Sequence, residues 1–480
     1  MIVARVLDRL IGLASTVILV RILVPADFGL LAMATSIIAM LALLGDFSFD
    51  LALIQNPKAE RRHYDTVWTL NLLFSIIYAL MLVLLAQPAA HFYHEPRLAA
   101  VMEWLAVGTL IGGFTNVGIV AFRKEMRFDK EFTFLLSKRL AGFIVTVVLA
   151  LLWRDYWALV GGTLTVMIVG VALSFLLQSY RPRFSLEART ELFRFSRWLF
   201  ANNTLGFLYH RAADFILAKG VGSEGLGYYS VAYEISNLPS SELVAPANRA
   251  VFPGYAKVST HAGGLRQGFI NVISVLALLA IPAAVGLACI ADPIVNVFLG
   301  PKWLSTIPLI QVLAINGVLT AILSCSGYVY VAIGKPRNVT LVLAAHVSLA
   351  VPMIAWGASY AGIGAVAWAL LCASLLVFPL NYLLLSAALK VTAADLLKVL
   401  WRPTVGAAVM AALIIWANRL GGFQIDIAGE ISGLLVLVIY GAVAYGIVIA
   451  VLWRLSSSPA GAEAFLLDKF RKVFSLRRAI

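Results

Sequence analysis

The stretch WLFANNTLGFLYHRAADFILA, residues 198–218, contains ionisable side chains within a run that is otherwise apolar. At about 100° per residue, His210 and Asp214 share one stripe of a helix, and Arg211 lies at its edge. A guanidinium can hold a phosphate through paired hydrogen bonds, whereas a carboxylate or an imidazole can carry a proton or a cation. These residues therefore predict an anion-binding or ion-coupling site. A purely structural ion pair between Arg211 and Asp214 is the alternative.

The amino-acid composition indicates whether this stretch lies in water or in a lipid bilayer. Of 480 residues, 61% are hydrophobic and 13% are charged, and the mean hydropathy is +0.92; soluble domains contain about 25% charged residues. Apolar runs of about 20 residues recur along the chain, and each is long enough to cross a hydrocarbon core about 30 Å thick. We predict an all-α polytopic membrane protein with about 14 transmembrane helices, among them spans near residues 98–122, 132–153 and 306–332. Arg211 and Asp214 must then face a partner or water, because a charge at the bilayer centre costs about 2.5–3.5 kcal/mol on insertion scales.

Two similar halves are predicted along the chain. RILVPADFGLLAMA (residues 21–34) aligns with KGVGSEGLGYYSVA (residues 219–232) at a constant offset of 198, which pairs Gly29 with Gly227. Such repeats are common in transporters, where two halves surround one central site. We therefore predict two pseudo-symmetric six-helix bundles followed by two additional C-terminal helices. Chance similarity between apolar helices joined by Gly-rich turns is the alternative.

Two basic, amphipathic segments are RPRFSLEARTELFRFSRW (residues 181–198) and FLLDKFRKVFSLRR (residues 465–478). In both, basic residues alternate with phenylalanine and leucine, a pattern typical of helices that lie at the membrane surface. We predict that both act as topology determinants and anchors in contact with membrane lipids. The predicted domains are a first bundle at 1–180, an interfacial linker helix at 181–196, a second bundle at 197–389, two further spans at 390–453 and a cytoplasmic tail at 454–480.

Lysine and arginine are distributed unequally between alternate loops. The side of the N terminus contains 27 of them and the other side six. Because cytoplasmic loops hold the excess of basic residues, we predict that both termini are cytoplasmic. The formal charge of +13 therefore requires no nucleic-acid partner.

Enzymatic chemistry finds no support in the sequence. Cys289, Cys325 and Cys372 lie within predicted spans and are interpreted as packing residues, so we predict no metal site and no cofactor. The sequence contains no phosphate-binding loop motif and no HExxH zinc motif. Predicted loops are too short for a separate catalytic domain. We expect a transporter with no catalytic residues.

Three stretches resemble the polysaccharide transporter, or Wzx-type flippase, branch of the multidrug/oligosaccharidyl-lipid/polysaccharide exporter superfamily: LVPADFGLLAMA (23–34), DFSFDLALIQ (46–55) and FSRWLFANNTLGFLYHRAADFILAKGVGSEGLGYYSVAYEISNLP (195–239). The resemblance implies a bacterial inner-membrane protein that moves undecaprenyl-diphosphate-linked oligosaccharide repeat units to the periplasmic leaflet by alternating access. Exopolysaccharide, capsule or O-antigen synthesis would use them, with the polysaccharide polymerase and export machinery as candidate partners. The chain begins almost directly with its first span, unlike similar proteins, so we expect either a late start or a missing first turn.

Site roles follow from this substrate. A diphosphate needs cations, the sugars need a wet polar path, and the moving halves need hinges. The expected substrate-binding residues are Arg211, Arg249, His210, Asn202, Asn203 and Asn237; the expected ion-coupling residues are Asp214 and Glu234; and the expected hinges are Pro239, Pro246 and Pro282.

Two alternatives remain open. A cation-coupled multidrug antiporter would share the superfamily architecture, but its cavity would favour acidic and aromatic groups over arginine. A membrane-embedded polymerase or glycosyltransferase acting on lipid-linked sugars would be expected to display a long periplasmic loop, whereas the predicted outer loops are short.

Overall fold

A computed structural model describes residues 2–43, 49–56, 59–240, 262–419, 427–457 and 462–463. Over these residues the regular secondary structure is entirely helical. The chain forms two compact units, Met1–Ser230 and Val231–Ile480, called the first and the second unit below.

The helices of the first unit are α1 (Ile2–Ile22), α2 (Pro25–Leu43), α3 (Phe49–Gln55), α4 (Arg61–Tyr93), α5 (Arg97–Gly112), α6 (Val120–Lys124), α7 (Phe128–Trp153), α8 (Trp157–Leu177) and α9 (Arg189–Gly220). Helix α10 (Gly222–Ser236) contains the boundary between the units. The second unit continues with α11 (Ala262–Cys289), α12 (Ala291–Ile294), α13 (Ile307–Ala332), α14 (Pro336–Tyr360), α15 (Gly362–Leu389), α16 (Ala393–Arg419) and α17 (Ile427–Leu455).

Most of these helices have the length and composition of membrane spans. Ten helical segments in the described part of the chain are long and apolar enough to cross a membrane, or eleven if the bent pair of α5 and α6 counts as one span. The protein is therefore a multi-pass helical membrane protein. Large hydrophobic side chains are exposed on many of these helices, including Leu84 and Leu176, as expected where lipid is the solvent.

The span predicted at 98–122 is broken, which corrects the expectation of one continuous helix. Helix α5 ends at Gly112, and the segment that includes α6 turns away by 67°. Asn116 starts the new helical segment because its side-chain oxygen accepts a hydrogen bond from the Gly118 amide at 2.9 Å. Such capping satisfies a helix-start amide that has no partner within the helix.

The linker predicted as a helix over 181–196 also differs. Residues 178–188 are not helical, and α9 begins at Arg189. Side chains of α4 take the place of helical hydrogen-bond acceptors. The amides of Arg183, Ser185 and Ala188 donate to Asp65, Thr69 and Thr66 at 2.9, 3.1 and 3.2 Å. These hydrogen bonds keep the linker from forming a helix, because they satisfy three of its backbone donors outside a helical pattern.

Tyr180 completes this attachment. Its hydroxyl donates to Asp65, and burial together with this hydrogen bond raises the pKa of the phenol above its ordinary value. The phenol therefore stays protonated and remains a donor. The Asn116 amide group donates to the Tyr180 carbonyl at 2.7 Å, so the linker is also bound where the chain bends after α5.

Within the second unit, buried polar side chains join α13 to α15. Ser374 donates to Asn316 at 2.7 Å, and Asn381 donates to Ser326 at 3.0 Å. The Tyr330 hydroxyl reaches the Asn381 backbone carbonyl at 3.0 Å. Hydrogen bonds of this kind stabilise helix association in membranes by about 0.6 kcal/mol each.

Candidate functional site

Helix α9 presents Arg211 and Asp214 three residues apart, a spacing that brings both side chains together on a helix surface. The helix continues from Arg189 to Gly220, and Gly222, with φ +73°, makes the turn into α10. This backbone conformation suits glycine because it has no Cβ to clash. Both ionic residues therefore lie near the end of a long helix, before the turn to the next one.

The Asp214 carboxylate is bound from two helices. Nη1 of Arg211 donates to Oδ2 of Asp214 at 2.9 Å, and the Ser36 hydroxyl of α2 donates to the same oxygen at 3.0 Å. The Asp214 side chain is 12% exposed and Ser36 is fully buried. A buried carboxylate needs such partners, because an unpaired charge in an apolar interior is strongly unfavourable.

Arg211 is less enclosed than its partner. Its side chain is 43% exposed, and within the described part of the chain its only hydrogen bond is the one that Nη1 makes to Asp214. A guanidinium has five N–H donors. Donors that do not contact Asp214 can therefore bind an anion while the ion pair stays intact.

The structure brings Arg211 and Asp214 together. The side chains of His210, Asn202 and Asn203 lie outside the described residues, as do Arg249 and Pro246. The position of these five groups relative to the ion pair therefore stays a prediction.

Two other candidates belong to the second unit and sit near the end of α10. The Asn237 amide donates to the Tyr233 carbonyl of its own helical segment at 2.9 Å, and Glu234 is partly buried. Pro239 follows in the helical turn after Asn237, whereas Pro282 lies inside α11, which runs without interruption to Cys289.

A second charged cluster was not anticipated from the sequence. The Arg97 guanidinium donates to Glu95 through Nε at 2.8 Å and Nη2 at 3.0 Å, and Nη1 lies 3.9 Å from Asp27. The Ser223 hydroxyl donates to Oε2 of Glu95 at 2.7 Å, the oxygen that also accepts from Nη2 of Arg97. The cluster thus connects the first turn of α2, the α4–α5 loop and the first turn of α10. Hydrogen bonds from Arg97 hold the pKa of the Glu95 carboxyl below its usual range.

Arg97 is one of the six basic residues counted on the side opposite the N terminus. Glu95 and Arg97 lie two residues apart in the stretch EPR, a weak local signal for a bidentate pair, but the sequence contained no signal for Ser223. Ser36 was missed for a similar reason: one serine in an apolar helix is common, and its contact with Asp214 spans 178 positions.

No group of three His, Cys, Asp or Glu residues suited to a metal ion occurs in the described ranges. All three cysteines are free thiols, and Cys325 is buried in the core of the second unit with Phe269 and Val329. Cys289 packs against the cluster of Met410, Ile414 and Leu437, so these two thiols lie among apolar side chains, as is common for small apolar residues.

Comparison with known proteins places this architecture among polysaccharide biosynthesis proteins. The family model described as polysaccharide biosynthesis protein matches residues 18–308. The chain is 29% identical over 328 residues to the lipopolysaccharide biosynthesis protein WzxC of Escherichia coli (strain K12), a match that covers 67% of this chain and 66% of that protein. The succinoglycan biosynthesis transport protein ExoT of Rhizobium meliloti (strain 1021) is 25% identical over 317 residues, covering 65% and 63%. The chain thus spans just under two thirds of the length of these curated relatives.

Solved structures share the fold at low sequence identity. The structure of the lipid II flippase MurJ in an inward closed conformation has a TM-score of 0.76 at 14% identity, with 94% of this chain and 98% of that chain covered. An inward-facing multidrug resistance transporter of the MATE family has a TM-score of 0.62 at 17% identity, with coverage of 80% and 96%. Because the family model matches more than half of the chain, the protein belongs to the polysaccharide biosynthesis protein family, as its sequence motifs predicted.

Proposed function

We propose that the protein is a flippase that moves undecaprenyl-diphosphate-linked oligosaccharide repeat units across the bacterial inner membrane by alternating access. The main support for this proposal is the geometry of Arg211. Its side chain is half-exposed, Nη1 binds Asp214, and the other N–H groups of the guanidinium are available to a ligand. An arginine with this geometry suits bidentate binding of a phosphate oxygen pair. The product units would serve exopolysaccharide, capsule or O-antigen synthesis, with the polymerase and export machinery as partners.

The names of the relatives suggest that these proteins have a transport step in common but act in the synthesis of different polysaccharides. They refer to lipopolysaccharide and succinoglycan, which are different polymers. A flippase that recognises the lipid diphosphate common to many such substrates accounts for this variety, and a transport role needs no catalytic residues.

We further propose an architecture of fourteen spans in two pseudo-symmetric six-helix halves, followed by two additional spans, with both termini in the cytoplasm. Contacts at the glycines of the repeat favour this interpretation. A Cβ on Gly29 would clash with the Ser223 carbonyl, and a Cβ on Gly227 would clash with the Pro25 carbonyl. Adding 198 to the numbers of Pro25 and Gly29 gives those of Ser223 and Gly227.

In this orientation the cluster of Glu95, Arg97 and Asp27 lies on the periplasmic side. There its contact with Ser223 would hold α2 and α10 together and close that side of the substrate path. Release of the substrate to the periplasm would require this contact to break. The Glu95 side chain is 13% exposed, so a water molecule can take the place of the Ser223 hydroxyl as hydrogen-bond donor when this contact breaks.

The remaining roles are proposals on the same basis. Arg249, His210, Asn202, Asn203 and Asn237 would join Arg211 along the substrate path; Asp214 and Glu234 would couple an ion; and Pro239, Pro246 and Pro282 would act as hinges.

Leaflet transfer in liposomes tests the function. Purified protein is reconstituted with an undecaprenyl-diphosphate oligosaccharide, and appearance of the glycan in the opposite leaflet is followed for wild type, Arg211→Ala and Arg211→Lys. We expect transfer by wild type, its loss in Arg211→Ala and partial recovery in Arg211→Lys, because lysine keeps the charge but not the paired donors. Arg337→Ala, at an exposed site in α14, is the control. Export of cationic dyes without glycan transfer would instead identify a multidrug antiporter.

A further inference from the structure

A polar, partly open cavity of about 260 Å³ in the first unit is lined by α2, α4 and the end of α5. Liquid water occupies about 30 Å³ per molecule, so the cavity has room for roughly nine waters or for one sugar ring. Its lining residues are Ala42, Asn71, Phe74, Ser75, Tyr78, Gly112, Gly113 and Thr115.

The backbone beside the cavity is interrupted. Helix α5 ends at Gly112, and the chain regains helical form only after Asn116. Irregular backbone at membrane depth occurs where it is buried in protein or lines a water-filled cavity, and broken helices commonly form substrate sites in transporters. At Gly113 a Cβ would lie 2.5 Å from the Ser75 hydroxyl, so the interrupted segment approaches α4 closely; at Gly112 a Cβ would meet open space.

Several side chains that line the cavity have hydrogen-bond donors or acceptors available for a ligand. The Asn71 amide makes no hydrogen bond to any described residue, although it has two donors and an acceptor. Ser75 donates to the Asn71 carbonyl at 2.8 Å and Thr115 donates to the Gly112 carbonyl at 2.7 Å, which leaves the oxygen lone pairs of both hydroxyls available to accept.

Aromatic rings supply the other part of the lining. Phe74 and Tyr78 are stacked, with centroids 6.1 Å apart and planes 18° apart. The negative face of an aromatic ring attracts the polarised C–H groups of a sugar. Amides, hydroxyls and aromatic faces together match the alternating polar and apolar surface of a carbohydrate.

The charge of the lining selects the kind of ligand. None of the eight lining residues in the described part of the chain carries a charge at neutral pH. A phosphate would need cationic partners and a metal ion or ammonium would need carboxylates, so neither suits this cavity. We infer that the cavity binds a neutral sugar residue of the lipid-linked glycan. The inference rests on the proposed flippase function and deepens it, because it separates a sugar subsite from the phosphate contact at Arg211.

Saturation-transfer NMR on the full-length protein in lipid nanodiscs tests the binding. The probes are methyl β-D-glucopyranoside and methyl α-D-mannopyranoside, with sodium glucuronate as the charged comparator of similar ring size. The variants are Asn71→Leu, which removes the free amide, and Gly112→Leu, which fills the open space. Gly364→Leu is the matched control, since a Cβ there also meets nothing within 4 Å.

We expect saturation transfer to at least one neutral glycoside, and binding about tenfold weaker in Asn71→Leu and Gly112→Leu than in the control. No transfer to any neutral probe, equal binding in all variants, or preference for glucuronate would overturn the assignment. If one variant fails to fold, the other variant and Ser75→Ala still decide the outcome.

The same variants in the leaflet-transfer assay separate this inference from the proposed function. Glycan transfer by wild type with unchanged kinetics in both cavity variants would reject the subsite and retain the flippase. Sugar binding that depends on Asn71, without transfer by wild type, would retain the subsite and reject the flippase. If both the subsite and the flippase function are correct, we expect Asn71→Leu and Gly112→Leu to raise the KM for the glycan with little change in the maximal rate of transfer.

Discussion

Gly29 of α2 and Gly227 of α10 lie against each other's helix: a Cβ on Gly29 would stand 1.7 Å from the Ser223 carbonyl oxygen, and a Cβ on Gly227 would stand 1.8 Å from the Pro25 carbonyl oxygen. Both obstacles are backbone atoms, which cannot rotate away as a side chain can. The two helices can approach this closely only because both positions are glycine.

Alanine at either glycine should therefore drive α2 and α10 apart. We expect Gly29→Ala and Gly227→Ala each to destabilise this arrangement by about 3 kcal/mol, the upper range for overpacking. The measurement is chemical cross-linking between cysteines introduced at Glu95 and Ser223, in a background without the three natural cysteines. The yield should fall several-fold, whereas Gly364→Ala should leave it unchanged. An unaltered yield in both variants would contradict the close crossing.

Removing either partner of the ion pair in α9 should have unequal effects. Arg211→Ala leaves the buried Asp214 carboxylate with Ser36 alone, and should lower the free energy of unfolding by about 2 kcal/mol after allowance for the half-exposed guanidinium. Asp214→Asn should cost about 1 kcal/mol or less, because water can solvate Arg211. Thermal melting in nanodiscs measures both. Equal effects would show that Asp214 does not depend on Arg211, and Ser36→Ala supplies a third value for the shared hydrogen bonds.

The pH dependence of stability should include a contribution from Glu95. Its pKa lies below the ordinary glutamate value of 4.5, because Arg97 and Ser223 donate to the charged form. A lowered folded-state pKa means that this stabilisation is complete above the ordinary value and is lost as pH falls through the folded-state pKa.

Melting temperatures measured from neutral pH into the acid range check this. Glu95→Gln should be less stable than wild type at neutral pH, and the gap should close as the pH falls below 4.5. Glu187→Gln, at an exposed linker position, should run parallel to wild type throughout. A gap that widens in acid would reverse the predicted sign.

Hydrogen exchange should detect the attachment of the linker to α4. The Arg183 amide donates to Asp65 and the Ala188 amide donates to Thr66. We expect Asp65→Ala to speed exchange at Arg183 by about tenfold, and Thr66→Val to do so at Ala188, because each variant lacks the side-chain oxygen that accepts from the amide.

Thr133→Val is the matched control, since that hydroxyl bonds only a carbonyl of its own helix. Exchange by residues 180–188 that stays slow in both α4 variants would mean that the linker is held by packing, as between Trp68 and Phe184, whose rings lie 5.1 Å apart.

The sequence by itself determined the class of protein and most of its helices. Runs such as 132–153 and 306–332 predicted helices that the structure places at Phe128–Trp153 and Ile307–Ala332. Hydrophobic length suffices for this because the bilayer imposes one dimension on every span. The motifs around Gly29 and Arg211 likewise indicated the family. The three-residue spacing of Arg211 and Asp214 allowed the ion pair that the structure shows, because residues three apart are neighbours on a helix surface.

Tertiary structure alone decided what those elements meet. The break after Gly112 followed from Asn116 capping and from contacts with Ser174 and Tyr180, far away in the chain. The linker stayed non-helical as far as Ala188 because side chains of α4 satisfied its amides, although its pattern favoured an amphipathic helix. Local periodicity reports which residues share a face, but not which distant hydroxyl or carboxylate will compete for a backbone donor. For that reason the sequence did not indicate a role for Ser36 or Asn71. Only the packing of the helices showed that Ser36 binds Asp214 and that Asn71 lines the polar cavity.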